Sequence, residues 1–172
     1  MPASTSDVIG IHTVQTASST TARPLTGVFE TLAEQHRVAL ELLRAAGAPQ
    51  PAAKRRESWE AARRWLLSHE QAEMETVFSA LEGYAAADPL LKTHTQQAIE
   101  LESAINQLES TSIESDTWIE RLHDVMLLLD DHVMDEEDEL FQRAQQFLGE
   151  NTARELDERF TTRQREILRA LD

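Results

Sequence analysis

Long amphipathic stretches constrain the fold of this 172-residue chain more than any other feature of its sequence. Apolar residues recur at intervals of three and four over most of the chain, which is the period of an α-helix with one buried face. Only five glycines and five prolines interrupt these stretches. The pattern predicts five helices, at about residues 25–46, 58–82, 89–108, 116–147 and 153–171.

Short breaks separate the predicted helices, with Gly47, Pro49 and Pro51 after the first and Gly83 after the second. Because short links make successive helices antiparallel neighbours, we predict an all-α fold, an up-down-up-down four-helix bundle with an additional C-terminal helix. Three regions are expected: a flexible Ser/Thr/Ala-rich tail over residues 1–24, the bundle over 25–148, and the C-terminal helix over 149–172. That last helix is expected to pack on the bundle or on a partner, which includes a second copy in an oligomer.

Charge and composition exclude several classes of function. Thirty-one acidic residues against sixteen basic ones give a net charge of −15, which repels nucleic acids and anionic membranes. The chain has no cysteine, so any metal must be held by nitrogen and oxygen ligands. It also lacks an apolar run long enough for a membrane span and the features of a signal peptide, so a cytoplasmic location is the default expectation.

Four of the six histidines interrupt the apolar stripes, one on each of the first four predicted helices. They are His36, His69, His94 and His132. A lone histidine on an apolar face is more often a hydrogen-bonded core residue than a ligand. Four of them on successive helices instead predict that they converge in the core as a group.

Two glutamates share faces with these histidines. Glu73 follows His69 by four residues and Glu136 follows His132 by four, so each pair lies one turn apart on one helix face. A buried carboxylate is costly unless it is paired or coordinates a cation, and no lysine or arginine faces the core at this level. The pattern therefore predicts a dinuclear metal centre, with both glutamates bridging the two ions and the histidines capping them.

These residues resemble the motif of the hemerythrin and HHE cation-binding family: His36, HEQAE at 69–73, His94 and HVMDEEDELF at 132–141. The resemblance covers about residues 25–148. It implies that the four histidines are terminal iron ligands and that Glu73 and Glu136 are bridging carboxylates. It also implies two non-haem iron ions, oxo- or hydroxo-bridged, that react with dioxygen or a related small oxidant. Nitrogen and oxygen ligands leave manganese or zinc open as alternatives.

One position departs from the pattern of the oxygen-carrying hemerythrins, which have a second histidine four residues after the first on the third helix. Here that position is Ala98. Either water or Glu70, the neighbour of His69, is expected to replace the missing ligand. The resemblance therefore implies metal binding more directly than reversible oxygen carriage.

Other interpretations of the same residues are less favoured. The chain has only one Glu-x-x-His motif where ferritin-like bundles use two, and HEQAE lacks the second histidine of a zinc protease. The acidic run on the fourth predicted helix is interpreted as a solvated face at Asp130, Asp131, Asp135, Glu137 and Asp138, with Glu139 left open.

Three functions remain open. The first is a protein that binds or senses dioxygen, nitric oxide or peroxide, or holds iron. The second is a di-iron oxidoreductase that acts on peroxide. The third is a regulatory helical bundle whose metal is structural. Binding or sensing is favoured over catalysis.

Overall fold

The computed structural model describes residues 23–171, and every regular element in that range is helical. The prediction of an all-α fold is confirmed. The long helices are α1 (Val28–Gly47), α2 (Ala52–Glu73), α3 (Asp88–Glu109), α4 (Asp116–Asp135) and α5 (Phe141–Ala170). A π-helical turn, Met74–Phe78, and a short α-helical turn, Ser79–Leu81, follow α2, and a second π-helical turn, Glu136–Leu140, joins α4 to α5. The predicted tail lies outside the described residues up to position 22.

Helix α2 differs from its predicted bounds at its start. The apolar period places the start at about residue 58, whereas the helix begins at Ala52, directly after Pro51. Residues 52–57 are helix-favouring Ala, Lys, Arg and Glu, which have no apolar period to reveal them in the sequence. Helix propensity therefore extends α2 by more than one turn beyond its buried face.

Gly149 marks a kink in α5. Its φ of 76° and ψ of 165° are not helical, yet the helix continues to Ala170 on the far side. Beyond the kink, Ala153, Leu156 and Phe160 are buried in one apolar cluster with Phe29 of α1. The last part of the chain therefore packs against α1. That it forms a helix separate from the bundle stays a prediction.

The core consists of two apolar clusters that lie on either side of the four histidines. We call them the Phe cluster, which contains Phe29, Phe78, Phe141 and Phe160, and the Trp cluster, which contains Trp59 and Trp118. Helices α1 and α3 run from the Phe cluster to the Trp cluster, and α2 and α4 run back. Each helix passes from one cluster to the other at its histidine. This alternation supports the predicted up-down-up-down order and places the four histidines at one level.

Gly27 fixes how α1 approaches the last helix. Its φ is +58°, and a Cβ atom there would lie 2.6 Å from the carbonyl carbon and oxygen of Ala153. We expect Gly27→Ala to lower the free energy of unfolding by about 3 kcal/mol, because backbone strain and overpacking add. Urea unfolding measures this, and Gly83→Ala is the matched control. Gly83 also has a positive φ, +94°, but no atom of the described chain lies within 4 Å of its Cβ position, so it should lose only the strain contribution of roughly 1–2 kcal/mol. Equal losses in the two variants would contradict the steric argument.

Candidate metal centre

The four predicted histidines converge in the core as two pairs. Their exposed fractions are 2% for His36, 4% for His69, 2% for His94 and 1% for His132. The ring centroids of His36 and His69 are 5.0 Å apart, and those of His94 and His132 are 4.6 Å apart. Helices α1 and α2 therefore supply one pair and helices α3 and α4 the other.

Glu136 lies between the two pairs. Its Oε2 is 3.1 Å from His36 Nε2 and 3.6 Å from His132 Nε2, and its Oε1 is 2.5 Å from His94 Nε2. One carboxylate thus reaches imidazoles of both pairs, which is the position that a bridging ligand requires.

Glu73 is the second buried carboxylate of the centre. Its Oε2 is 3.4 Å from His69 Nε2, and the side chain is fully buried. Its ligand atoms lie within 4.8 Å of those of His36 and His69, and also of those of His94 and Glu136. Glu73 therefore belongs to both halves of the cluster.

Glu70 lies beside the second histidine pair. Its Oε1 is 2.9 Å from His132 Nε2 and its Oε2 is 3.9 Å from His94 Nε2. These three residues form a group whose ligand atoms all lie within 4.8 Å of one another. Glu70 is one of the two replacements expected for the missing histidine. The structure places it beside His94 and His132, the pair next to which that histidine would lie.

Most of the polar atoms that face one another within this cluster have no hydrogen-bond partner among the described residues, although they lie close together. They include the Nε2 atoms of all four histidines and both carboxylate oxygens of Glu73 and Glu136. Each buried polar group left unpaired lowers the stability of the fold, so this cluster is costly without a compensating ligand. Imidazole nitrogens and carboxylate oxygens aimed at one another are, however, the donors that divalent and trivalent transition metals bind. The residues present fit a cation site.

Opposite pKa shifts show how the metal-free cluster distributes its charge. Burial alone would lower the pKa of His36 and of His132, but nearby carboxylates, Glu136 foremost, raise them to about 10 and about 9. Burial would raise the pKa of Glu136, yet His132, His36 and His94 hold it well below its usual range. Burial and the charge of Glu136 raise the pKa of Glu73 well above its usual range. Protons on His36, His132 and Glu73 thus occupy the place that a cation would take.

A hydrogen bond from the opposite side orients His36. Its Nδ1 lies 2.9 Å from Glu137 Oε1, so Nδ1 donates and Nε2 is left to face Glu136. The interpretation of Glu137 as a solvated residue is wrong. It points away from His132 on its own helix, as expected, but its carboxylate reaches α1, which helix periodicity alone does not reveal. Glu139, left open by the sequence, is 55% exposed and pairs with Arg143.

A pair of glutamines orients His69. Gln35 Oε1 lies 3.0 Å from His69 Nδ1 and also accepts a hydrogen bond from Gln164 Nε2 at 2.7 Å. Gln35 Nε2 donates to Gln164 Oε1 at 2.7 Å, so the two amides pair reciprocally. Burial and the charge of His36 lower the pKa of His69 to about 4, which keeps its Nε2 free of a proton. Neither glutamine was predictable from the sequence, because both contacts cross between helices.

Removing this support should weaken metal binding. We expect Gln35→Ala to lower zinc affinity by tenfold or more, because the His69 ring loses the acceptor that fixes its orientation. Gln164→Ala should cause a smaller loss of the same kind, since Gln35 keeps its bond to His69. Competition titration with a zinc chelator measures both. Gln146→Ala, an exposed glutamine on α5, is the control, and a loss there as large as in Gln35→Ala would contradict the assignment.

Both HxxxE segments are followed by a π-helical turn. Met74–Phe78 begins directly after Glu73, and Glu136–Leu140 begins at Glu136 itself. A π-turn adds one residue to the helical turn, and such turns are frequent at functional sites. The first turn brings Phe78 against His94, with ring centroids 4.1 Å apart. The second is followed by Phe141, which stacks on His36 at 5.8 Å.

A comparison with protein-family models agrees with a cation-binding role for this cluster. The model of the hemerythrin HHE cation-binding domain matches residues 27–144. The chain belongs to the hemerythrin HHE cation-binding family. No curated protein and no solved structure matches it significantly. As a family member the chain is a cation-binding helical protein, and its His/Glu cluster fits the metal site.

Two features of this hemerythrin-family chain lie beyond the matched segment or beside its site. Gln164, which pairs with Gln35, and Phe160, whose ring lies 5.9 Å from that of His69, follow residue 144. A small cavity of about 100 Å³ borders His94 and Glu136. No helix within residues 23–171 combines the length and the apolar character needed to span a bilayer.

Proposed function

We propose that this hemerythrin-family protein holds two non-haem iron ions. With them it either binds or senses a small oxidant, namely dioxygen, nitric oxide or peroxide, or serves to hold the iron itself. The observation that carries the proposal is the buried layer of four histidines, one per helix, with Glu73 and Glu136 between them. The facing atoms of this layer have no hydrogen-bond partner within residues 23–171. Such a layer is costly without cations, and two of its three groups of ligand atoms, one at each histidine pair, provide for two of them.

Each half of the cluster supplies its own donors. His36 and His69 would hold one ion, and His94, His132 and Glu70 the other. Glu73 and Glu136 would bridge them, as their contacts to both halves support. Each half has two imidazoles. The second half adds the carboxylate of Glu70 where the oxygen carriers have a third imidazole, so the two ions would differ in their ligands.

We favour iron over manganese or zinc for this donor set. Two carboxylates bridging histidine-rich sites, with no thiolate in the chain, favour iron, while manganese and zinc remain alternatives for the test. When bound, iron would supply one-electron redox chemistry and a coordination position for the oxidant. The surrounding chain contributes by excluding water: Phe78, Phe141 and Phe160 all pack against ligand rings.

The second candidate function is a di-iron oxidoreductase that acts on peroxide. The small cavity at His94 and Glu136 favours it, because Thr93, Gln97 and Asp135 place hydrogen-bonding side chains in its lining. Hydrogen-bonding side chains beside the centre suit peroxide, which is a hydrogen-bonding oxidant, more than they suit dioxygen.

Elemental analysis of the purified protein, paired with its ultraviolet and visible spectrum before and after dithionite, tests the proposal. We expect about two irons per chain and absorption bands that bleach on reduction. Repeated turnover of added peroxide would favour the oxidoreductase, whereas a single stoichiometric reaction would favour binding or sensing. A folded, colourless protein without stoichiometric metal after aerobic reconstitution with ferrous iron would overturn both.

A further inference from the structure

An apolar cavity of about 380 Å³ lies between α2 and α3, beside the metal centre. Its walls include Leu66, Leu101 and Ile105, and Leu171 from the end of the chain closes one side. The volume falls in the range of roughly 300–1,000 Å³ that is typical of small-molecule sites. Neither the family match nor the ligand set of the metal centre accounts for it.

The cavity reaches the centre at Glu70. This glutamate lines the cavity and also lies 2.9 Å from His132 Nε2. Its Oε2 atom is buried and has no hydrogen-bond partner among the described residues. A molecule in the cavity would therefore lie directly against a candidate metal ligand.

Ala98 keeps the cavity open. It lines the wall at the position where the oxygen carriers have their second helix-three histidine. A larger side chain there would project into the space that the alanine leaves. The departure that removes one histidine from the centre thus also creates room beside it.

Exposed apolar side chains surround the mouth of the cavity. Met74 is 37% exposed, Ile99 is 56% exposed and Leu171 is 36% exposed, and all three line the cavity. They are three of the seven large exposed apolar residues in the described chain. Apolar surface concentrated at one opening favours an apolar occupant, because binding removes that surface from water.

The charge of the lining selects against anions. Glu70 and Glu102 contribute carboxylates, and the lining residues described include no lysine or arginine. An anionic ligand would meet like charge without a compensating cation. We propose that the cavity binds an apolar organic molecule without negative charge and holds it against Glu70. Its role beside a di-iron centre rests on the proposed function, but binding itself does not require the metal.

Methionine-methyl NMR on the full chain tests this inference. The probes are 1-hexanol, hexylamine and hexanoate, which share one chain and differ in charge. We expect 1-hexanol and hexylamine to shift the Met74 methyl signal saturably while the signals of Met126 and Met134, which do not line the cavity, stay in place. Hexanoate should bind at least tenfold more weakly. Equal binding of hexanoate, or no shift of Met74 at millimolar probe, would overturn the proposal.

Two variants separate the cavity from non-specific apolar binding. Ala98→Leu should weaken 1-hexanol binding at least tenfold by filling the space, whereas Ala61→Leu, on the exposed face of α2, should not change it. Leu171→Ser, at a side chain that is 36% exposed, should weaken binding several-fold by removing one wall. Unchanged binding in both Ala98→Leu and Leu171→Ser would overturn the proposal.

Titrations of the metal-free and zinc-loaded protein distinguish this inference from the proposed function. Probe binding in a protein that takes up no stoichiometric metal would support the cavity and defeat the di-iron centre. Two bound metals without a Met74 shift would defeat the cavity alone.

Discussion

Glu136→Gln is expected to abolish stoichiometric metal binding and to destabilise the metal-free protein by about 3 kcal/mol at pH 7. The carboxylate faces imidazoles of His36, His94 and His132, and its low pKa shows that it is ionised among them. The amide keeps the shape of the side chain but leaves buried imidazolium groups without their counter-charge. Urea unfolding with chelator present gives the stability, and zinc competition gives the affinity.

Glu73→Gln is the matched comparison. We expect it to lower metal affinity without lowering the stability of the metal-free protein. Metal affinity should again fall by at least a hundredfold, because an amide is a poor bridging ligand. The metal-free protein, in contrast, should keep its stability or gain some. Burial and Glu136 raise the pKa of Glu73, so its carboxyl group already carries a proton that the amide imitates. If the two variants destabilise the metal-free protein equally, the assignment of opposite charge states to these glutamates is wrong.

The second large expected effect is a loss of stability of the metal-free protein at alkaline pH. His36 and His132 have pKa values raised to about 10 and about 9, above the value near 6.5 of an unfolded histidine. Their protonated forms therefore stabilise the metal-free fold fully below pH 6.5, and this contribution is lost as pH rises toward 9 and 10. We expect the free energy of unfolding of the metal-free protein to fall by several kcal/mol between pH 7 and 10.

The metal-loaded protein should not show this alkaline loss, because metal ions displace the protons from His36 and His132. Metal uptake at pH 7 should accordingly release protons from His36, His132 and Glu73, which calorimetry in buffers of different ionisation enthalpy can count. Below pH 4.5 the sign reverses, since the lowered pKa of Glu136 stabilises the fold only while the group stays ionised. A metal-free protein whose stability is flat from pH 7 to 10 would contradict the charged-imidazole description.

Helix periodicity made the buried histidine–glutamate cluster predictable. His36, His69, His94 and His132 interrupt apolar stripes, and a spacing of four ties Glu73 and Glu136 to two of them. All six therefore belong on buried helix faces by their spacing alone. Glu70 was less certain, because it lies about 100° around α2 from His69 and only the position of α4 brings it to His132.

The residues that support the ligands were not predictable in the same way. Glu137 reaches His36 across 101 residues of sequence, and Gln164 reaches Gln35 across 129. Such contacts depend on how helices approach one another, which a pattern along one helix does not contain. The two π-helical turns and the cavity at Ala98 likewise arise from packing between helices, which no periodicity within a helix encodes.

The four histidines lie at one level between the two apolar clusters. This position affects the order in which the protein folds and takes up metal. Each HxxxE segment offers only two neighbouring donors, and the remaining ligands come from helices far apart in sequence. A chain emerging from the ribosome therefore holds no complete donor set until α4 is made and docked. The two clusters must assemble the scaffold first, unlike a zinc finger, in which the ion itself drives folding. Loading is thus a late step, and the metal enters a bundle of packed helices rather than a nascent chain.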